Sequence, residues 1–514
     1  MALLSKDIFF DETVKVYKTM GAAFYGLRNT FMMLFLMAFL RIKNPEQSGG
    51  LNVLILGRLL GLDRAPSVKT IRRKIKFLCY RNKALQLMHL LGKERINALN
   101  DPSAVLYVDG HVISYYGKKK FGKTFSTSKN KVSAASTEYW VNLADGTPLL
   151  CIPTEFNASM TSVFPEIVEN ARKICGDRRI TFVFDRGGCS GALFERIISM
   201  GCDFITYNKN SEKVDDSKFI KEKTIINKVE YEYKPYSHEI EKIVYKRSKK
   251  GRYSKTGRTV KLREVIVKRN DGGQTSIVTS RRDLSDVAVA EIIFNRWTQE
   301  NYFKYLKSEY ALDHLCTFRT MQVDEQIDHP NPEYTSLKKK ISILNKKINI
   351  IVGKQLKDDV ENNSSPTDNI KKLNSGKTAE ILKELRTGLK NTKKALDGIP
   401  ERVSASVYSR LDSESRLITN IVKMTAYHIE GRLAEILSFH YKGVNGNERG
   451  LISDMLKSSG SIKVDNGILR ISIAGQSTPD RTRMLKALCN EITVTAAKFP
   501  GTELRMVFDV ADNL

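Results

Sequence analysis

Three acidic residues stand where a metal-dependent phosphoryl-transfer site would need them. Asp109 ends the apolar run VLYVD, Asp185 ends the apolar run ITFVFD, and Glu300 lies in a later helical stretch. Carboxylate oxygens are the ligands that Mg²⁺ and Mn²⁺ prefer, and two such ions about 4 Å apart can assist in-line displacement at phosphorus. We therefore predict that Asp109, Asp185 and Glu300 are catalytic and bind two Mg²⁺ or Mn²⁺ ions.

The stretch that carries Glu300 predicts one long helix over 285–310, with an unusual charged face. At about 100° per residue, Arg296, Lys304 and Lys307 lie within about 40° of Glu300. One acid among three cations is not typical of a face that packs in a core, but it suits a face that meets metal and DNA phosphate together. Trp297 beside this face could pack in the core or stack on an unpaired base, and we favour core packing.

The elements around these residues follow a recognisable order. The pattern predicts a strand, a hairpin, a helix, a strand, a helix, a strand and a late helix, at 105–110, 138–153, 163–175, 180–185, 190–201, 202–207 and 285–310. This is the order of an RNase H-like α/β fold, in which the first and fourth strands lie side by side. We expect Asp109 and Asp185 to emerge at the same end of that sheet, within reach of Glu300.

Composition divides the chain into four regions. We expect a helical DNA-binding domain over 1–100 and the RNase H-like catalytic domain over 101–325, with a β-rich basic insertion at 208–282. A Lys-rich helical arm or linker follows over 326–400, and a mixed α+β region over 401–514.

Residues 51–81 of the first region resemble a helix-turn-helix. An apolar helix ends near Gly61, a short turn follows, and Ser67 is placed to cap a second helix. One face of that second helix is basic and is predicted to contact DNA, through Lys69, Arg72, Arg73 and Lys76. A helical hairpin with a solvated basic face is the alternative.

The net charge of +27 favours a polyanionic partner, because each neutralised phosphate releases counterions. A membrane surface would also attract such a charge. However, the most apolar stretch, 31–40, is too short to span a bilayer, so we predict double-stranded DNA and no membrane. The densest basic segment, 245–269, is predicted to grip phosphates or to form a solvated hairpin, and its proposed contacts are Lys249, Lys250 and Arg252.

The seven cysteines include no CxxC pair, which argues against a structural zinc site and favours reduced thiols in a cytosol. The first residues lack the pattern of a secretory signal. Both observations predict a cytoplasmic protein.

Taken together, these motifs resemble bacterial insertion-sequence transposases of the DDE class, in the IS-four-like group. That group carries a Tyr-x2-Arg-x3-Glu-x6-Lys signature, which Arg296, Glu300 and Lys307 match, with Ile293 at the Tyr position. Arg186 directly follows the second Asp, as in many members of the group, and is predicted to contact DNA. The β-rich insertion of the group, between the second Asp and the Glu, corresponds to 208–282.

The resemblance implies a nucleoid-associated bacterial enzyme that binds the terminal inverted repeats of its element, nicks the ends and joins the 3′-hydroxyls to target DNA. It also implies a homodimer on DNA, for which the 326–400 arm is a candidate interface. The alternatives are an RNase H-like endonuclease or domesticated transposase that cuts without joining, and a catalytically dead DNA-binding protein.

Overall fold

The computed structural model describes the chain except for residues 19–23, 127–129, 157, 210, 227–228, 248–252, 315–318, 324–327, 362–376, 405, 407, 441–447 and 512–514. The chain divides into two compact units. The first comprises Met1–Lys246, Tyr253–Met321 and Arg410–Leu514, and the second comprises Arg247–Arg252 and Gln322–Ser409.

The first unit begins with helices: α1 (Ala2–Ser5), α2 (Phe9–Tyr17), α3 (Leu27–Phe39), α4 (Pro45–Ser48), α5 (Val53–Leu59), α6 (Val68–Arg81) and α7 (Ala84–Asn97). The Ser67 side chain accepts a hydrogen bond from the Thr70 amide at 3.3 Å, so the predicted cap of α6 is confirmed. α6 packs through Ile71, Ile75 and Leu78, which are buried. The apolar spacing of this helix therefore fixes which of its faces remains in solvent.

A large mixed sheet forms the centre of the same unit. The strands and helices of this part of the chain are β1 (Ser103–Ser114), β2 (Lys123–Ser126), β3 (Lys131–Asn142), β4 (Pro148–Pro153), α8 (Met160–Cys175), β5 (Arg179–Phe184), α9 (Gly191–Ser199), β6 (Asp203–Tyr207), β7 (Glu222–Ile226), β8 (Val229–Tyr233), β9 (Pro235–Arg247), β10 (Tyr253–Lys268) and β11 (Gln274–Thr279). β7 and β8 pair with each other, and the other strands form the large sheet. The strand order is β2-β3-β1-β5-β6-β11-β10-β9, and β4 also pairs with β3. β1, β5 and β6 are parallel to one another, whereas β3 is antiparallel to β1 and β4 is antiparallel to β3.

The stretch 285–310 forms two helices, α10 (Asp286–Phe294) and α11 (Trp297–Ser308), so the prediction of one continuous helix is wrong. At the interruption, Asn295 bonds both to a turn far away in the chain and to the start of α11. The Asn295 side chain donates to the Ala144 carbonyl at 2.9 Å and accepts from the Thr298 hydroxyl at 2.7 Å. These bonds attach the junction to the β3–β4 turn and start a new helix.

The C-terminal part of the first unit contains α14 (Ser413–Ser438), α15 (Glu448–Met455), β16 (Gly460–Asp465), β17 (Ile468–Ala474), α16 (Pro479–Val494) and β18 (Arg505–Ala511), numbered after the second unit's elements. α14 packs against α3, α7 and β4, and its apolar side chains belong to the same buried cluster as theirs. The predicted boundaries at residues 100 and 400 therefore do not separate independent cores.

A buried ion pair also joins α14 to the central sheet. Arg416 donates from Nε and Nη2 to the Glu138 carboxylate of β3, at 2.6 and 3.0 Å. Asn420 adds a third hydrogen bond to Glu138 at 3.1 Å. The Arg416 guanidinium holds the pKa of Glu138 below its usual value although burial acts in the opposite direction. Loss of either ionic partner would leave a charge in the core.

The second unit is built around two helices that pack together, α12 (Pro332–Glu361) and α13 (Lys377–Asp397). The strands β13 (Asp328–Pro330) and β14 (Arg402–Ser404) pair beside them, and β12 (Thr320–Gln322) and β15 (Ser409–Leu411) lie at the ends of this segment. Throughout the described ranges, no helix combines the length and apolarity needed to cross a bilayer. The six cysteines that the structure describes are free thiols.

Candidate active site

Two of the three predicted acids emerge together from neighbouring strands. β1 and β5 are parallel, and Val108 lies opposite Phe184 in their register. Asp109 and Asp185 each come one residue later, so both leave the same end of the sheet side by side. Each side chain is partly buried.

A tight turn orients Asp185. Its Oδ1 accepts a hydrogen bond from the Gly187 amide at 2.9 Å, and its carbonyl accepts one from the Thr206 hydroxyl at 3.0 Å. A Cβ on Gly187 would lie 2.8 Å from that same Oδ1. A side chain at Gly187 would therefore require the Asp185 carboxylate to shift from this position.

An arginine lies between the first and third acids. The Arg296 Nη2 donates to the Glu300 Oε1 at 2.7 Å, and its Nη1 lies 3.9 Å from the Asp109 Oδ2. Arg296 precedes the first residue of α11, and Glu300 follows one turn later. The arginine thus links β1 to the helix that carries Glu300.

A buried amide fixes α11 against the sheet. Gln299 is 1% exposed, and its Nε2 donates to the Tyr107 carbonyl at 3.1 Å, two residues before Asp109. The Trp140 carbonyl lies 3.4 Å from the same nitrogen. Sequence reasoning missed Gln299, although a polar residue next to Glu300 on an otherwise apolar side of the helix is a usable signal.

A second group of charges fixes the other end of α11. Glu430 of α14 is buried completely and accepts hydrogen bonds from Tyr305 and Tyr310 at 2.9 and 3.0 Å. Arg449 donates to it at 3.0 Å, and Arg41 also forms an ion pair with it. We call these five residues the Glu430 cluster. Sequence reasoning missed this cluster too, because its members are far apart in the chain.

The electrostatics of the site favour a bound cation. The pKa of Asp109 is raised to about 6, chiefly by burial and also by the Asp185 and Glu300 charges, although Arg296 acts in the opposite direction. Asp109 and Glu300 share one guanidinium, that of Arg296, so negative charge is in excess between them.

The donor set fits Mg²⁺ or Mn²⁺, which take one or two carboxylates together with water and substrate phosphate oxygens. Asp109 and Asp185 could serve as such a pair. Across the residues described, however, no three His, Cys, Asp or Glu side chains converge closely enough to hold an ion as they stand. Glu300 is instead paired with Arg296, so its use as a ligand requires a change of partner.

The predicted DNA-contacting residues near these acids lie in solvent. Arg186, Lys304 and Lys307 are exposed. Trp297 is 60% exposed, with the Lys304 Nζ 5.4 Å from its ring centroid, so the prediction that Trp297 packs in the core is wrong. Helical spacing explains this, because Trp297 lies on the side of α11 opposite the buried Gln299 and Phe303.

The basic face of α6 is also exposed, as the sequence predicts, at Lys69, Arg72, Arg73 and Lys76. Arg72 is paired with Glu46, with 2.7 Å between the Arg72 Nε and the Glu46 Oε1. The other predicted DNA contacts lie outside the described residues: Lys249, Lys250 and Arg252.

A protein-family model described as "Transposase protein" matches residues 10–512, which is nearly the whole chain. The chain belongs to this transposase family. A search of curated proteins gives no match. Seven chains of solved structures match, among them the cryo-EM structure of the piggyBac transposase synaptic complex with hairpin DNA, at 12% identity over 62% of this chain and 69% of that chain. The TM-score is 0.31, which does not establish a common fold. The family match supports a DNA transposase, and the IS-four-like grouping stays a prediction.

Proposed function

We propose that this transposase cleaves DNA strands and transfers their 3′ ends, using Mg²⁺ or Mn²⁺ bound by Asp109, Asp185 and Glu300. The observation that carries the proposal is the register of β1 and β5, which brings Asp109 and Asp185 out together beside the helix of Glu300. Metal-dependent phosphoryl transfer requires several carboxylates close together. Here the three proposed carboxylates belong to elements that are far apart in the chain.

We further propose that the core is RNase H-like. The strand order β4-β3-β1-β5-β6 supports this proposal. β1 and β5 are adjacent and parallel, whereas β3 runs antiparallel to its two neighbours, β1 and β4. The signature spacing of Arg296, Glu300 and Lys307 supports placement in the IS-four-like group.

The residues of the chain would divide the work as follows. Bound metal would supply Lewis-acid activation of a water or a 3′-hydroxyl and stabilisation of the leaving oxygen. Gly187 keeps Asp185 oriented, and Gln299 keeps α11 in place. Arg296 partly neutralises the negative charges of Asp109 and Glu300. With those charges neutralised by bound metal instead, its guanidinium would be available to a DNA phosphate.

Surrounding cations would position the DNA. Arg186, Lys304 and Lys307 are exposed beside the acids and suit phosphate contacts. Trp297 presents an exposed ring that suits stacking on an unpaired base. The exposed face of α6 is proposed to bind the terminal inverted repeats, and two copies of the chain are proposed to act on paired ends.

A strand-transfer assay tests the proposal. Purified protein, Mg²⁺, a labelled duplex carrying the DNA end that flanks the reading frame, and a supercoiled plasmid are combined. We expect label to join the plasmid with the wild type and with a control Asp177→Asn, an exposed acid away from the site. Asp109→Asn, Asp185→Asn and Glu300→Gln should each lose at least about 10³-fold of the joining rate and keep DNA binding.

The other outcomes assign different functions. Cleavage without joining would make the protein an endonuclease, and end binding without cleavage would make it a DNA-binding protein. Full activity in excess chelator would exclude the metal-dependent mechanism.

A further inference from the structure

Strand β1 continues well beyond the acidic site. β5 ends at Phe184, opposite Val108, whereas β1 runs on to Ser114. In the described part of the chain, residues 109–114 pair with β3 and not with β5. At about 3.3 Å per residue, Ser114 lies about 17 Å beyond Asp109. The β1–β3 ladder therefore projects past the edge of the sheet at which the acids emerge.

A basic loop stands at the end of this projection. Residues 116–123, which we call the tip loop, have the sequence YGKKKFGK and contain no acid. The lysines of the tip loop are all exposed, at positions 118, 119, 120 and 123. Tyr116 is 81% exposed. The tip loop thus presents four positive charges in one short segment.

The ends of the tip loop are anchored rather than loose. The rings of Tyr115 and Phe121 stack 4.4 Å apart at 20°, and both residues are buried. The Tyr115 amide donates to the Ala134 carbonyl at 2.8 Å, and the Gly122 carbonyl accepts from the Ala135 amide at 3.2 Å. Both ends are thereby held on β3, so the backbone of the tip loop is tethered at each end while its lysine side chains remain in solvent.

Gly122 is part of this anchor. A Cβ at Gly122 would lie 1.9 Å from the ring of Phe156, which is buried. A side chain at this position would displace either the ring or the loop. The close approach keeps the lysine-bearing segment in one place relative to Asp109.

We propose that the tip loop binds the phosphate backbone of duplex DNA about five or more base pairs from the scissile phosphate, because Ser114, at the base of the loop, lies about 17 Å beyond Asp109 and each step of the duplex is about 3.4 Å. The inference rests on the proposed function, since it places the cut at the Asp109 site. Lysines act as point charges toward phosphate and do not distinguish bases. The tip loop therefore sets the position and orientation of the duplex, and sequence recognition lies elsewhere.

Binding measurements with the full-length chain test the proposal. The variant Lys118→Gln/Lys119→Gln/Lys120→Gln is compared with Lys93→Gln/Lys457→Gln/Lys463→Gln, which removes the same charge from exposed positions elsewhere. The long ligand is a duplex with about 20 base pairs on each side of the mapped cut. Two shorter duplexes keep only about four base pairs on one side of the cut, one duplex for each side.

On the long duplex we expect the tip-loop variant to bind at least about tenfold more weakly than the control near 0.15 M salt, with a slope of log K against log salt lower by about 2 to 3. Shortening the duplex on one side should abolish the difference between this variant and the control. The variant Lys118→Arg/Lys119→Arg/Lys120→Arg should bind like the wild type.

Equal binding by the tip-loop variant and the control on every duplex would overturn the tip-loop inference alone, provided that the wild type binds and cleaves. A wild type that binds no DNA would overturn the proposed function as well. A tip-loop variant with a lower thermal midpoint than the control would indicate a structural role for the lysines. In that case the proposal stands if the arginine variant has both the thermal midpoint and the DNA affinity of the wild type, and it is overturned if the arginine variant has a normal midpoint but weak binding.

Discussion

The two ends of helix α11 both carry clusters of charged side chains, but they balance their charges differently. At one end, Asp109 and Glu300 share Arg296 as their adjacent cation, Asp185 follows the neighbouring strand, and all three carboxylates are partly open to solvent. At the other end, Glu430 is fully buried and has two arginines and two tyrosine hydroxyls around it. An unbalanced, accessible group can exchange partners with a ligand, whereas a balanced, buried group cannot do so without unfolding.

The difference assigns separate roles to residues that look alike in the sequence. Glu300 and Glu430 are both acids within amphipathic helices. Their surroundings make the first a candidate metal ligand and the second a residue that positions α11. Variants at the two positions should therefore separate activity from stability.

The largest effect is expected from Glu300→Gln. Loss of the negative charge should reduce strand cleavage at least about 10³-fold, because a neutral amide is a poor Mg²⁺ ligand. The thermal midpoint should stay close to that of the wild type, since Glu300 is at the surface of the site. Gel-based cleavage assays and thermal unfolding measure the two quantities, and a Glu300→Gln enzyme with normal cleavage would refute its assignment.

The next effect is expected from Glu430→Gln. The change leaves Arg449 without a carboxylate and leaves Arg41 with Glu309 alone, beside a buried amide, which should cost about 3 kcal/mol in the free energy of unfolding. Urea unfolding measures the loss. Glu435→Gln, on the same helix but exposed, is the matched control and should change stability by less than about 0.5 kcal/mol. Equal stability of the two variants would contradict the role given to the Glu430 cluster.

A smaller effect of opposite sign is expected from Asp109→Asn. The folded-state pKa of Asp109, about 6, lies above the ordinary value of 3.8, so ionisation opposes folding. This penalty is absent below pH 3.8, grows as pH rises, and is complete above pH 6. In chelator, Asp109→Asn should therefore be more stable than the wild type by about 3 kcal/mol at pH 7.5 and by about half as much at pH 5.

Thermal unfolding at the two pH values measures this difference. Asp177→Asn provides the comparison for an exposed acid. A destabilised Asp109→Asn variant at pH 7.5 would show that Arg296 already balances the site, and the contrast between the two ends of α11 would then fail.

The smallest effect is expected on DNA binding by α6. Here too, a charge that is already paired within the protein should contribute less to binding a ligand than an unpaired one. Arg72 is paired with Glu46, whereas no described acid lies within ion-pair distance of Arg73. Arg73→Ala should weaken binding of the terminal repeat by about three- to tenfold, and Arg72→Ala by less, because part of its charge is already neutralised. Fluorescence anisotropy with a labelled end duplex measures both, and a larger effect of Arg72→Ala would reverse the ranking.

The sequence was sufficient to predict the local features of the site. Asp185 follows the end of a strand as predicted, because an apolar run followed by Asp and a turn depends on adjacent residues alone. The prediction that a strand ends at Asp109 is wrong, since β1 continues to Ser114 through its pairing with β3. The cap at Ser67 and the exposed basic face of α6 follow from helical spacing in the same way.

The features that could not be predicted depend on distant partners. The interruption before α11 results from a bond between Asn295 and Ala144, 151 residues apart. The Glu430 cluster joins Arg41 to a residue 389 positions later, and periodicity within a helix carries no information about such a pair.

The ion pair between Glu138 and Arg416 has a consequence for synthesis of the protein. The two residues are 278 positions apart, so at about 5–20 residues per second Glu138 leaves the ribosome roughly 15–55 s before its partner. Until then the sheet that carries Asp109 has an unpaired acid in its core and lacks the helix that covers it. Translation products that stop before Arg416 should therefore be degraded or aggregate, and only nearly complete chains would reach DNA in active form.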